Sequence, residues 1–262
     1  MPRGRDEGGD DRNPRERFLT VFGRIPVLEA LADESVPVSQ VFVAIDMTRS
    51  GAREIDAAAA ARGISVHHVR RDKVTRISGT GRQHQGVAAD ILAPNQASLE
   101  SWVQSLSPDL PVSCVLLDGV TTPANVGMII RSAVAAGLQG IVVPTFGVAQ
   151  LGPLVIKASA GVALRAPLLR IRTALEAAQQ LRAAGFDLVA LDAAGVVDLW
   201  HMEAERRTAL VLGGEHGGIS DEVKSLATRT VRVPLAPGVE SLNVAAAAAV
   251  AFFELRRPSG PT

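Results

Sequence analysis

The 262-residue sequence has no tyrosine, a single cysteine and only 3% aromatic residues. A core must therefore be built from Val, Leu, Ile and Ala, which the 47% hydrophobic content supplies. The lone cysteine, Cys114, excludes an internal disulfide and a multi-cysteine metal site. It precedes the apolar run Val115-Leu116-Leu117 and reads as a small core residue. Charge of one sign is also missing: Lys+Arg and Asp+Glu are both 27. Any nucleic-acid footprint must then be local. No apolar stretch reaches membrane-spanning length without polar interruption, and the N-terminus lacks a signal-peptide pattern. A cytoplasmic protein is expected. No G-x-G-x-x-G follows a strand, and no phosphate loop ends in Gly-Lys-Ser/Thr, which argues against a dinucleotide or nucleoside triphosphate site.

What is present falls into four parts. Residues 1 to 17 are Gly, Pro, Asp and Arg with almost nothing apolar, so a disordered tail is expected. Its five Arg balance five acids, a poor electrostatic arm. Residues 18–92 read as a small α/β unit. It has a helix near Ile25–Leu31, a strand over 40–45, an Ala-rich helix to Ala61 and two strands near 64–69 and 86–92. Arg62, Arg70, Arg71, Lys73, Arg76 and Arg82 make it locally basic, against Asp72 alone. Such a cluster is either a solvated face or a phosphate-contacting one. His67 and His68 are neighbours on a strand and face opposite ways, so they do not share a metal. Residues 93–111 hold Pro94, Pro108 and Pro111 around a short helical piece, Leu99 to Leu106, and read as a linker. From Val112 strands and helices alternate with short loops. This predicts an α/β fold with a mostly parallel sheet and helices on both faces. Ser220 is expected to cap a helix reaching about Ala227.

Three polar stretches sit at strand exits, where ligands bind in such sheets. The first is Asn125-Val-Gly-Met-Ile-Ile-Arg131. Arg131 lies one helical turn beyond Gly127, so an open strip leading to Arg131 is expected; a helix cap for Asn125 and a surface ion pair for Arg131 are the plainer readings. The second is Leu212-Gly-Gly-Glu-His-Gly-Gly218, whose glycines let backbone approach a ligand or simply make a turn. The third runs from Val231 through Pro234, Pro237 and Gly238 to Ser241, Leu242 and Asn243, ahead of an alanine-rich helix. Ser241 and Asn243 read as N-caps or as ligand contacts.

Together, in this order and spacing, the three stretches resemble the motifs of the SpoU/TrmH family of RNA ribose 2′-O-methyltransferases. The resemblance covers Asp118 onward. More loosely, Phe22-Gly-Arg-Ile-Pro-Val-Leu-Glu-Ala-Leu31 and His84-Gln-Gly86 resemble the family's small L30e-like RNA-binding domain. It implies a catalytic domain over 112–262 with a C-terminal trefoil knot (the SPOUT fold), and S-adenosylmethionine as cofactor. Gly213, Val233, Leu235 and Leu242 would line the cofactor pocket. Asn125, Arg131, Glu215, Ser241 and Asn243 would form the catalytic set, with Ser241 and Asn243 orienting the ribose and Arg131. No metal is implied, and His216 receives no role. An RNA substrate and a homodimer are expected, with most similarity to bacterial enzymes acting on guanosine of large-subunit (23S) ribosomal RNA. A transfer-RNA substrate, another ribosomal nucleotide, a small-molecule methyltransferase and a non-catalytic RNA-binding or ribosome-assembly protein are the alternatives.

Overall fold

A computed structural model describes residues 18–34, 36–79, 84–92, 96–203, 205–215 and 217–257. The expected tail, Arg82 and His216 lie outside them.

The N-terminal part is a four-stranded sheet ordered β1-β4-β2-β3. Its elements are β1 (Phe18–Phe22), α1 (Arg24–Ala32), β2 (Val38–Ala44), α2 (Arg49–Ala61), β3 (Ser65–Val69), α3 (Arg71–Ser78) and β4 (Val87–Leu92). β4 is antiparallel to both β1 and β2, and β3 is parallel to β2. Alternation along the strands divides the faces. Val41, Val43, Ala89 and Ile91 pack with α1 and α2. Phe42, Ala44 and Ala88 pack with Val74 of α3 on the opposite face. β1 and α3 are additional to the elements expected from the sequence. Both are short, and α3 is so rich in charge that only Val74 is buried.

Much of the expected basic surface is internally occupied. Arg62 turns inward, and its guanidinium donates to the carbonyls of Ala30, Leu31, Asp33, Glu34 and Val36. It thereby satisfies carbonyls around the C-terminal end of α1, which a helix leaves without internal partners. Arg71 bonds Asp46 at 2.7 Å. His67 stacks on Phe42, while His68 meets Asp56 at 3.3 Å.

The rest is an eight-stranded sheet ordered β10-β12-β9-β11-β6-β7-β8-β5, parallel in every pairing. Its elements are β5 (Gln96–Ser98), α4 (Leu99–Ser105), β6 (Val112–Asp118), α5 (Pro123–Ala135), β7 (Gly140–Pro144) and α6 (Pro153–Ala158). They continue with β8 (Leu168–Ile171), α7 (Ala174–Ala183), β9 (Asp187–Leu191), β10 (Val197–Asp198), β11 (Arg207–Gly213), α8 (Asp221–Lys224), β12 (Arg229–Arg232) and α9 (Val244–Leu255). The central strands are apolar at nearly every position because both faces are covered. Val115, Leu117, Leu210 and Leu212 face α5 and α9. Cys114, Leu116, Ala209 and Val211 face α4, α7 and α8. Each fully buried Val or Leu contributes about 1.5–3 kcal/mol. Burial pushes the Cys114 thiol pKa up, so this cysteine stays protonated and inert.

Two expectations are corrected. The stretch read as a linker supplies an edge strand to the large sheet, β5 paired with β8, while the short helix expected there is α4, capped by Ser98 accepting from Ser101 N. Prolines marked a local turn there, and a three-residue strand leaves no periodic signature. Ser220 stands at the start of α8 but does not cap it. Its hydroxyl donates instead to Asp118, and α8 is only four residues long. The two sheets also share packing. Ile156 of α6 and Leu164 belong to the same buried cluster as Val27, Leu31 and Ile91. Among the described residues, no helix is long and apolar enough to cross a membrane.

Candidate active site

Three loops meet at the C-terminal end of the large sheet: the ones following β9, β11 and β12. They enclose a cavity of about 540 Å³. Of the residues singled out in the sequence, Gly213, Glu215, Val233, Leu235, Ser241, Leu242 and Asn243 line it.

The loop after β11 is held flat and close to its neighbours. Gly214 and Gly218 exchange both backbone hydrogen bonds at 3.0 Å. A Cβ on Gly213 would lie 2.2 Å from the Gly218 carbonyl carbon, and one on Gly214 would lie 2.0 Å from the Gly119 carbonyl oxygen. No side chain fits at either position. Glycine is required here by the approach of backbone to backbone, and not by the turn alone. Asp118, at the end of β6, fastens the far side of this loop. One of its oxygens accepts from both the amide and the hydroxyl of Ser220, each at 2.7 Å.

The three sequence stretches are joined by side chains. Asn125 lies in the first turn of α5 and is 6% exposed. Its amide nitrogen donates to Glu215 of the second stretch. Its amide oxygen accepts from Asn243 Nδ2 of the third at 3.1 Å. Asn243 Oδ1 in turn accepts from the amides of Ala245 and Ala246 at 2.9 and 3.3 Å, capping α9. This fixes the orientation of both amides, since each oxygen accepts and each nitrogen donates. Asn243 therefore caps α9 and lines the cavity at once. Asn125 is no cap: its side chain ties two loops to a helix.

Arg131 stands apart. It is exposed on α5, is absent from the cavity lining, and makes no hydrogen bond or ion pair among the described residues. Among the described residues, the Asn243 side chain bonds Asn125 and the start of α9, not Arg131. The open strip over Gly127 is also absent. That glycine is buried, and a Cβ there would lie 2.5 Å from Val155 O and 2.6 Å from Ala158 Cβ. Gly127 admits α6, not a ligand. Ser241 is exposed at the cavity edge.

Asp192, which without motif support reads as a surface or loop residue, lines the cavity with Leu191 and Ala193. Its carboxylate accepts from Lys224 Nζ at 2.6 Å and from Ala194 N at 2.8 Å. The Lys224 hydrogen bond is the main cause that holds Asp192 below its ordinary pKa. Its position just past the end of β9, the ligand-binding edge of a parallel sheet, was the available signal.

Comparison with known proteins agrees with this geometry. Residues 113–253 match the SpoU rRNA Methylase family, and residues 20–97 match the RNA 2'-O ribose methyltransferase substrate binding family. A Mycolicibacterium paratuberculosis protein described as an uncharacterized tRNA/rRNA methyltransferase is 32% identical over 248 residues, 92% of this chain and 78% of that one. Among solved structures, the AdoMet-bound rRNA methyltransferase of Sinorhizobium meliloti superposes with a TM-score of 0.60 at 26% identity, covering 92% of this chain and 87% of that one. The SpoU methyltransferase AviRb of Streptomyces viridochromogenes, in complex with AdoMet, gives a TM-score of 0.58 at 25% identity, covering 95% and 94%. The chain belongs to the SpoU rRNA methylase family.

Proposed function

We propose that this protein transfers a methyl group from S-adenosylmethionine to a ribose 2′-hydroxyl of RNA, with a guanosine of large-subunit ribosomal RNA as the foremost substrate. The observation that carries the reading is the Glu215–Asn125–Asn243 chain, which fastens three distant stretches at the rim of one cavity. The cavity suits the cofactor. Its apolar wall of Leu191, Leu212, Val233, Leu235 and Val244 would take an adenine, with the backbone of Gly213 and Gly214 beside it. When bound, the cofactor supplies an electrophilic methyl group on a sulfonium, a good leaving group that needs no metal.

The chain's own residues then position and stabilise. Asn125, Glu215 and Asn243 act as positioning residues, keeping the loops in one arrangement. Ser241 offers its hydroxyl to the ribose at the cavity edge. Arg131 binds the adjacent phosphate and stabilises negative charge developing on the ribose oxygen. Its guanidinium stays protonated and does not serve as the base, so as the O–CH3 bond forms and the C–S bond breaks the 2′-hydroxyl proton leaves through the neighbouring phosphate, Ser241 or water. Arg131 reaches this site from outside the cavity lining, which accords with a homodimer. On that reading, the exposed side of α5 and α9, carrying Met128 and Phe253 at 39% and 56% exposure, packs on a second copy. We read the segment from β12 into α9 as the family's trefoil knot, and the four-stranded sheet as the RNA-binding part of a cytoplasmic enzyme.

The test is tritium transfer from labelled S-adenosylmethionine to unmodified ribosomal RNA and to transfer RNA, with Arg131→Ala as control. Label in ribosomal RNA at a ribose, lost in the variant, is the expected result. Label only in transfer RNA moves the substrate class. Absence of cofactor binding ends the enzymatic reading.

A further inference from the structure

The four-stranded sheet carries a second, separate cavity. On the face that α3 covers, Thr20, Asp90 and Gln40 lie abreast on β1, β4 and β2. α3 packs over Phe42, Ala44 and Ala88 at one end of this face. The other end is an open trough of about 690 Å³, lined by Phe18, Thr20, Gln40, Asp90 and, from α3, Lys73, Arg76 and Ile77. That volume lies within the range of about 300–1,000 Å³ in which small-molecule sites fall.

Its floor is a carboxylate in an unusual setting. Asp90 is only 9% exposed and has no cationic partner among the described residues. One oxygen accepts from Thr20 Oγ1 at 2.9 Å, the other from Gln40 Nε2 at 3.0 Å. Neutral donors hold the group in place without neutralising it. An ionised carboxylate has about four acceptor positions, so about two remain for a ligand. A buried charge persists only where something repays its desolvation. The rim is of opposite sign. Lys73 lies 5.9 Å from the Phe42 ring centroid and has no carboxylate partner among the described residues. Arg76 has Asp72 at 3.8 Å, with both side chains largely exposed. Beside the trough, two residues along β2 from Gln40, Phe42 stacks with the exposed His67.

A paired acceptor below and cations above describe a ligand with two adjacent donors on one edge and a phosphate behind it. We propose that this trough binds an unpaired guanine of the RNA substrate, with Asp90 accepting from guanine N1–H and the 2-amino group while Lys73 and Arg76 hold the flanking phosphates. No other standard base presents two parallel donors on its Watson–Crick edge. Sequence-specific RNA readers take splayed-out bases on an open sheet face in this way, with aromatic rings as stacking platforms. The inference rests on the reading above only in taking RNA as the ligand. It adds a base-reading site away from the methyl-transfer cavity.

The experiment is fluorescence anisotropy of the full chain with short labelled oligouridylates carrying one central guanosine, inosine or adenosine. S-adenosylmethionine binding is measured on the same preparations by calorimetry. The guanosine oligomer is expected to bind about tenfold tighter than the adenosine one, the discrimination a good bidentate pair supplies. Inosine, which keeps N1–H and lacks the 2-amino group, falls between them. Asp90→Asn, nearly isosteric, removes the guanosine preference and leaves cofactor binding unchanged. Lys73→Glu with Arg76→Glu, on the exposed side of α3, weakens every oligomer alike and flattens the salt dependence. Equal binding of guanosine and adenosine oligomers overturns the trough, as does a preference that survives in Asp90→Asn; cofactor binding intact in the same samples leaves the methyltransferase reading standing. An Asp90-dependent guanosine preference without cofactor binding does the reverse.

Discussion

The two sheets differ in how much freedom they leave. At the rim of the large sheet, backbone lies on backbone at Gly213 and Gly214, and a run of side-chain hydrogen bonds crosses from Glu215 through Asn125 to Asn243. In the small sheet, one face is covered by α1 and α2, while the other is only partly roofed by α3. Methyl transfer requires three atoms in line, so misplacement is costly and the site is pinned from several directions. Reading an RNA strand requires an accessible surface with a few directed groups, and the trough over Asp90 provides one. In the proposed reading tightness goes with the chemical site and openness with the recognition site, which makes the contrast open to attack by substitution.

The largest effect is expected at Gly214→Ala. The added methyl would sit 2.0 Å from a carbonyl oxygen of the backbone, which has no rotamer to escape into. Overpacking of this kind costs about 1–3 kcal/mol, and the loop must shift to relieve it. Cofactor binding by calorimetry should be lost while the melting transition stays cooperative. Normal binding would mean that the loop is looser than its geometry indicates.

Arg131→Ala comes next and probes the opposite situation. The side chain is exposed and makes no hydrogen bond or ion pair among the described residues, so its loss should leave stability within about 0.5 kcal/mol. Methyl transfer should fall by a factor on the order of 10²–10³, as for removal of a group that stabilises developing negative charge. If Arg131 serves the cavity of a second copy, mixing Arg131→Ala with Asn243→Ala chains should restore measurable transfer. Failure to complement would place the arginine within its own subunit's site.

Asn243→Ala removes a helix cap and one link of the relay. Loss of the cap costs about 1 kcal/mol, and the unpaired Asn125 oxygen adds about 1–3 kcal/mol. Denaturant titration should register the sum. Asn243→Asp separates the roles, since it retains the cap acceptor and loses the donor to Asn125. Only the cap's share of about 1 kcal/mol should return, since the Asn125 oxygen stays unpaired, while activity stays low.

Much of this architecture was legible in the sequence. The alternation of strands and helices after Val112 was clear because uninterrupted apolar runs such as Cys114–Leu117, closed by a polar turn within a few residues, suit strands buried on both faces. The three site stretches were visible through their resemblance to the family's motifs, and the cavity gathers seven of the nine residues that the resemblance implied: Gly213, Glu215, Val233, Leu235, Ser241, Leu242 and Asn243. What stayed hidden depends on contacts between distant residues. Gly127 looks like an opening along a helix until α6 is seen against it. Arg62 looks like part of a basic surface until its guanidinium is found among the carbonyls at the end of α1. Asp90, in an otherwise apolar strand, gives no sign of the trough, because Thr20 and Gln40 reach it from 70 and 50 residues away. Short elements such as β5 and α8 carry too few residues for a period to emerge.

Arg62→Ala tests the structural side of the small sheet. Hydrogen bonds to a charged group are worth about 1.5–3 kcal/mol, and this one side chain serves several carbonyls. Faster amide exchange in α1 and β2 is expected, with cofactor affinity unchanged. A parallel loss of cofactor binding would show that the packing of Ile156 and Leu164 into the small sheet transmits disorder to the large one.

The smallest effect concerns acid, and it returns to the cavity wall. Lys224 holds the Asp192 carboxyl below its ordinary value of 3.8 by a hydrogen bond at 2.6 Å. A carboxylate depressed on folding stabilises the native state while it is ionised there. That contribution is present above pH 3.8 and is lost as the pH falls through the lower folded value. The pair is partly exposed, at 39% and 23% of the two side chains, so its worth is held to about 1 kcal/mol or less by solvent screening. Asp192→Asn should therefore lower stability slightly near neutrality and reduce the drop in melting temperature on acidification below that value. Equal acid sensitivity in the variant and the parent would mean that the Lys224 bond is broken in solution. The loop after β9 would then be the free edge of an otherwise pinned site.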